Sequence, residues 1–265
     1  MSLHKYTVGD NVVIWRYMDL SKLLDILVHR QLVFPRLDQF EDVYEGHPSK
    51  FLEALSYAFS DPESQGMRKL VENGVKTCFK LIKVRGYVSC WHMNDNESAG
   101  MWKLYCKTNE SLVIKTKVGR LKRSLTNPKN EFVNRIEVGQ VDYKNNTEEL
   151  KEKFIELSRN KERIDISYPD IIFSKRSSFE HEKEIRIIAC NENKIQDPEN
   201  QHKSVSELKS TTPVLQKIEC NVEEMIEEII IAPDAPQWFV HLVKNIVAKL
   251  GYSFPISQSE LYTLK

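Results

Sequence analysis

The chain has 265 residues, with 38 Lys+Arg against 38 Asp+Glu for a formal net charge of zero, 41% hydrophobic and 9% aromatic. That length sustains a substantial core and that composition is globular. No apolar run nears the roughly 20 residues of a membrane helix, which speaks against a membrane partner. Zero net charge also lacks the basic excess that phosphate-backbone binding usually brings, so nucleic acid is not a favoured partner.

The opening Met1–Tyr6 lacks the charged and apolar regions of a secretory signal, so a cytoplasmic location is expected. Residues 12–17 are β-branched and aromatic and read as a strand. A helix follows, capped by Asp19 or Ser21, with Leu20, Leu23, Leu24 and Leu27 in one stripe. Residues 31–35 read as a strand closed by proline, and 40–46 as a polar loop edged by aromatics. Two helices fill 48–85, the second with Met67, Leu70, Val71, Gly74, Val75, Cys78, Phe79 and Ile82 at helical spacing. Next comes a strand at 86–91, then Asn94 and Glu97 as a capping box for a helix carrying Met101, Trp102 and Tyr105. Further strands are expected at 112–114, 136–143, 185–189, 214–218 and 229–232, and helices at 147–160 and 236–250. Residues 191–210 are polar and aperiodic, and read as a mobile loop or exposed insertion. The sum is an α+β fold over 1–265 as one domain, its mixed or split antiparallel sheet flanked by helices. Cys78, Cys90, Cys106, Cys190 and Cys220 are an odd, scattered set, expected to be reduced core residues rather than a disulfide framework or a zinc site.

The densest chemistry runs from Lys175 to Ile188. In a strand, Glu182, Glu184 and Arg186 share one face. Their carboxylates repel unless a cation lies between them, and Arg186, Lys175 or Arg16 can supply it. The plainer reading is a charged strand edge with Arg186 in a structural ion pair. A zinc protease would need histidine where Ile185 stands, and a restriction-type nuclease finds only Pro169-Asp170 and a poorly placed Lys183. A glutamate on a late strand also suits glycosyl or ADP-ribosyl transfer, where a carboxylate stabilises positive charge at an anomeric carbon. Trp15-Arg16-Tyr17, Trp91-His92 and Trp102 with Tyr105 set flat rings beside polar groups, as a nucleotide pocket would, though residues at such helical spacing as Trp102 and Tyr105 are more often core, and Trp15 reads as core as well. His92 is the most pocket-like histidine by context, with a structural role as the plainer reading. Asp42 and Glu45 suit a metal or ribose hydroxyl, or simply cap a turn beside Gly46. No glycine-rich phosphate loop is present, and Lys115, Lys117, Arg120, Lys122 and Arg123 read as a solvated helix face.

From Trp15 to about Ile256 these segments resemble the bacterial domain of unknown function family 2971 (DUF2971). The resemblance is carried by Trp15-Arg16-Tyr17 and its helix, and by Phe40, Asp42, Tyr44 and Glu45, with Glu41 and Val43 where the family has Asn and Pro. Ser89-Cys90-Trp91, Glu97-Ser98, Met101-Trp102 and Tyr105 carry it further, as do Lys175 and Phe179 through Glu182, Glu184 and Arg186, with Phe179 where Trp is commoner. The order of features is similar to an ADP-ribosyltransferase-like split sheet. That analogy implies a nucleotide- or NAD-handling transferase or hydrolase in which Arg16 holds a phosphate or ribose. Ser89 or Trp91 would place the nicotinamide side, and Glu184 or Glu182 the ribose. Tyr17, Asp42, Glu45, Trp102, Tyr105, Lys175 and Arg186 complete the expected ligand site, and the cofactor is left open with NAD as the candidate. The alternatives are a non-enzymatic ligand sensor or interaction module in a phage-defence or stress system and, third, a metal-dependent nuclease using Asp42, Glu182 and Glu184.

Overall fold

The computed structural model describes residues 6–42, 44–45, 49–61, 65–126, 128–143, 151–152, 155–156 and 172–263. The helix expected over 147–160 lies almost wholly outside them, as do Val43, Gly46, Pro169 and Asp170. The chain starts with β1 (Val13–Asp19), α1 (Leu20–His29) and β2 (Gln31–Pro35). Asp19 caps α1 by accepting from the Lys22 amide at 2.9 Å, and Leu23, Ile26 and Leu27 form its buried stripe. Next come α2 (Ser49–Ala58), α3 (Gln65–Arg85), β3 (Gly86–Met93), α4 (Ala99–Tyr105), β4 (Ser111–Lys117), α5 (Val118–Ser124) and β5 (Arg135–Gln140). A 3₁₀ turn, Ser177–Glu182, leads into β6 (Glu184–Cys190). The rest is α6 (Glu192–Gln196), α7 (Pro198–His202), α8 (Val205–Ser210), β7 (Leu215–Glu219), α9 (Val222–Met225), β8 (Glu228–Ile231), α10 (Gln237–Lys249) and β9 (Ile256–Gln258). Among the described residues, no helix is long and apolar enough to cross a membrane.

The fold is α+β, built on a mixed seven-stranded sheet in the order β5-β6-β3-β1-β4-β8-β9 and a two-stranded β2-β7 sheet. Among the strand pairs of the described residues, β8 and β9 run parallel and the other ladders antiparallel. One core packs α1 and α10 against β1, β4 and β8 through Leu23, Leu27, Ile114, Ile229, Phe239 and Val243. A second packs α2 and α3 on β3 and β6 through Leu55, Val75, Phe79, Val88 and Ile188. None of the five cysteines is in a disulfide, and Cys190 and Cys220 are buried.

The sheet is split in its middle. The β1–β4 ladder runs from Val13↔Lys117 to Asp19↔Ser111, and the β3–β6 ladder from Gly86↔Cys190 to His92↔Glu184. Between them, β1 and β3 pair only at Ile14↔Met93 and Trp15↔His92, and beyond that point they part. The β2–β7 pair reaches the open edge of β3, where Arg36 bridges Tyr87.

Three expectations are corrected. Residues 191–210 are not a loop but the three short helices α6 to α8. They are started by Asn191, Asp197 and Ser204 caps and anchored by buried Ile195 and Leu208, so cap residues rather than apolar period carry the signal. Helix α4 is capped by Ser98, not by an Asn94–Glu97 box, because Glu97 accepts instead from the Trp102 indole at 3.0 Å. Met67 and Leu70 of the α3 stripe are exposed: spacing sets which side a residue faces, not whether another element reaches that turn.

Two glycines test this packing in opposite directions. At Gly139 a Cβ would meet Phe173 Cζ and Tyr6 Cβ, both at 2.8 Å, whereas at Gly74 in α3 it meets nothing within 4 Å. Gly139→Ala is expected to destabilise by about 1–3 kcal/mol and Gly74→Ala to stabilise by up to ~1 kcal/mol, both read by urea unfolding.

Candidate functional site

Where β1 and β3 part, a cleft of roughly 250 Å³ opens. Its walls are Arg16 and Tyr17 of β1, Ser89, Trp91 and His92 of β3, Tyr105 of α4, and Glu182 and Glu184 at the head of β6. Alternation along a strand sends Arg16 and Glu184 to opposite faces of the sheet. They meet in one cleft because it lies between strand edges. Arg16 Nη1 donates to Ser89 Oγ at 2.7 Å across the parting, with its guanidinium 5.6 Å from the Trp91 ring. Burial lowers the Arg16 pKa to about 10, and the titrating groups that oppose this are the thiols of Cys90 and Cys220. Among the described residues no carboxylate pairs with Arg16. A desolvated cation without an anion favours one from outside.

Beneath the cleft lies a buried cluster of three acids and two bases. Lys175 Nζ sits 2.8 Å from Glu182 Oε2, 2.7 Å from Glu184 Oε1 and 3.0 Å from Glu45 Oε1. Arg186, fully buried, donates through Nε to Glu184 Oε2 at 2.6 Å, through Nη2 to Glu45 Oε2 at 2.7 Å and through Nη1 to the Ile172 carbonyl at 2.5 Å. Burial alone would lower Lys175 and Arg186, but the surrounding acids, Glu184 foremost, hold both well above their usual ranges. Burial would likewise raise Glu184, but Arg186 and Lys175 hold it low. With two cations against three acids, one acid is left over. It is Glu182, pushed up to about 7 by burial and by its hydrogen bond to Glu184. Tyr105 donates its hydroxyl to Glu182 Oε2 at 3.2 Å.

The turn before β6 aims this group. Lys183 adopts a left-handed backbone, φ 41°, costing about 1–2 kcal/mol for a residue with a Cβ. Its carbonyl accepts from the Met93 amide at 2.8 Å, and the Glu182 carbonyl faces His92 Nδ1 at 2.6 Å. A carbonyl only accepts, so Nδ1 carries the proton and Nε2 is a bare acceptor. Burial lowers the His92 pKa, keeping the ring neutral at pH 7. Nε2 is buried without a partner, as is the Trp91 indole nitrogen. An acceptor and a donor thus stand unsatisfied in the residues that wall the cleft.

The expected site residues therefore fall into three groups. Arg16, Tyr17, Ser89, Trp91, Tyr105, Glu182 and Glu184 line the cleft, while Glu45, Lys175 and Arg186 form its charged floor. Asp42 and Trp102 stand apart. Asp42 accepts from the Tyr44 amide at 3.0 Å, closing a turn, and pairs with Arg176 at 2.9 Å, and Trp102 packs edge-on against Tyr17 at 5.0 Å. His92 is the group that sequence context undervalued, since its bare nitrogen depends on a carbonyl that only the Lys183 turn presents. The basic run at 115–123 is largely neutralised by pairing: Lys115 with Glu228, Lys122 with Asp10 and Arg123 with Glu224.

Arg186→Met would leave Glu45 and Glu184 buried without their guanidinium, an expected loss of about 3–5 kcal/mol. Lys122→Ala, which breaks an exposed pair with Asp10, should cost under ~1 kcal/mol. Urea unfolding of the two variants measures the contrast.

No curated protein and no solved structure matches the chain. Residues 101–187 match the model of the family described as "Protein of unknown function (DUF2971)". That segment holds Trp102, Tyr105 and the whole of Lys175 to Arg186, aromatic and charged residues that carried the resemblance, and the match supports the DUF2971 resemblance over this part of the chain.

Proposed function

We propose that the cleft binds a nucleotide-like ligand by an anionic group at Arg16, and that Glu182 and His92 act on it in a transferase or hydrolase reaction of ADP-ribosyltransferase type, with NAD as the candidate substrate. One observation carries this: an arginine without an acid stands in a wall where a buried donor, Trp91 Nε1, and a buried acceptor, His92 Nε2, both lack partners. Structural arginines and histidines are normally satisfied by the fold itself. Here two of these buried atoms belong to residues that line the same cleft as Arg16.

The chemistry follows from their protonation. If NAD is hydrolysed, the bond between the nicotinamide nitrogen and the ribose carbon breaks with its electron pair leaving on the neutral base. The water oxygen bonds to that carbon, and the water proton passes to His92 Nε2. Positive charge developing on the ribose meets the excess acid of the cluster beneath it. That role falls to Glu182 rather than Glu184, because Lys175 and Arg186 occupy one oxygen of Glu184 each. Glu184 is a positioning residue. A binding-only sensor is the second reading, favoured by the same saturation of Glu184. The nuclease reading weakens because the Lys175 ammonium sits among the acids where a cation would bind, and Asp42 is held by Arg176.

Incubation with NAD should release nicotinamide, detected by mass. Glu182→Gln should cut turnover by about 100-fold or more, within the range of a lost electrostatic stabiliser. Binding of NAD with no release in the wild type would select the sensor, and no binding would sink both.

Stability offers an independent check. The Glu182 pKa is raised on folding, from 4.5 to about 7. Between those values the unfolded chain has released a proton that the folded one keeps, so stability falls as pH rises through this window and levels off above it. An amide mimics the neutral acid. Glu182→Gln should therefore gain stability relative to wild type between pH 5 and pH 8, on the order of 1–3 kcal/mol, as measured by denaturation at the two pH values.

A further inference from the structure

A second cavity, roughly 580 Å³, lies between α1 and the β2–β7 pair. It shares Arg16, Met18, Lys22 and Pro35 with the cleft, so the two spaces adjoin across these residues. Its remaining walls are largely apolar: Ile26 of α1, Val33 of β2, and Val214 and Leu215 at the head of β7. The last two are 55% and 40% exposed, apolar side chains left open to solvent around a concave space. Asp25 and Gln39 add a polar edge. The first cleft, at roughly 250 Å³, falls below the ~300–1,000 Å³ typical of small-molecule sites.

From this geometry we infer that the ligand has two arms joined by phosphate. Arg16 binds the linkage at the junction, the reacting arm enters the β1–β3 cleft, and a second nucleoside lies in the cavity between α1 and the β2–β7 pair. This rests on the nucleotide reading of the cleft and deepens it by giving the second nucleoside of a dinucleotide such as NAD a site of its own. The chemistry of each space fits its part. A flat base is matched by the faces of Ile26, Val33 and Leu215, and ribose hydroxyls by an acid such as Asp25. His29 at 2.9 Å and Lys217 at 3.5 Å both approach Asp25 at Oδ1. A diphosphate is matched by a guanidinium that no carboxylate of the described residues neutralises. Only a ligand spanning the junction uses the cavity and the cleft together.

Calorimetric titration with NAD and with nicotinamide mononucleotide tests this on the full chain. The wild type should bind NAD at least about 10-fold more tightly. Leu215→Glu, which places a charge in the apolar wall, should bring that ratio towards one. Val214→Glu, at a more exposed position, repeats the test should Leu215→Glu fail to fold. Equal affinity for the two compounds, or a ratio unmoved by either substitution, overturns the second-arm site while leaving the cleft reading intact. If the wild type binds neither compound, the cleft reading falls and takes this inference with it.

Discussion

Arg186 is the constraint around which the rest is arranged. A guanidinium with no exposure at all is tolerated in a protein interior only if every donor direction is met. Here the partners come from three separate stretches of chain: Glu45 from the loop after β2, Ile172 from the segment before the 3₁₀ turn, and Glu184 from β6 itself. Lys175 then has to be present, because the acids gathered for Arg186 need a second cation. With it comes Glu182, left one positive charge short and so poised near neutrality. A requirement of folding thereby raises one carboxyl above the ordinary carboxylate range.

The split sheet turns that buried chemistry outward. If β1 and β3 paired along their whole lengths, Arg16 and Trp91 would lie on one face and Glu184 on the other. Because the ladder stops after Trp15↔His92, the strand edges themselves become walls, and residues from both faces share one opening. The Lys183 turn supplies the remaining element, presenting one carbonyl to β3 and the preceding one to His92.

Most of this fold was legible in the residues because strands here are β-branched runs and helices carry clean stripes. The 31–35 strand and the 236–250 helix emerge almost as expected, as β2 and α10. The convergence of Glu182, Glu184, Lys175 and Arg186 was legible for an electrostatic reason, since two acids so close demand a cation. Other features leave no periodic trace. Helices α6 to α8 are each too short to show a stripe, and the capping of α4 turns on which acceptor Glu97 serves. The partnerless state of His92 Nε2 and the separation of Asp42 from the cleft depend on contacts across tens of residues, which spacing along one segment does not encode.

The short β1–β3 ladder has a mechanical meaning as well. A sheet is as cohesive as its weakest seam, and this one is joined by two residue pairs with longer ladders on either side. Across that seam Arg16 donates to Ser89 and the Trp15 indole to the Asn94 carbonyl. A molecule lodged there and gripping both banks would splint the two halves, so that occupancy and rigidity of the whole sheet rise and fall together.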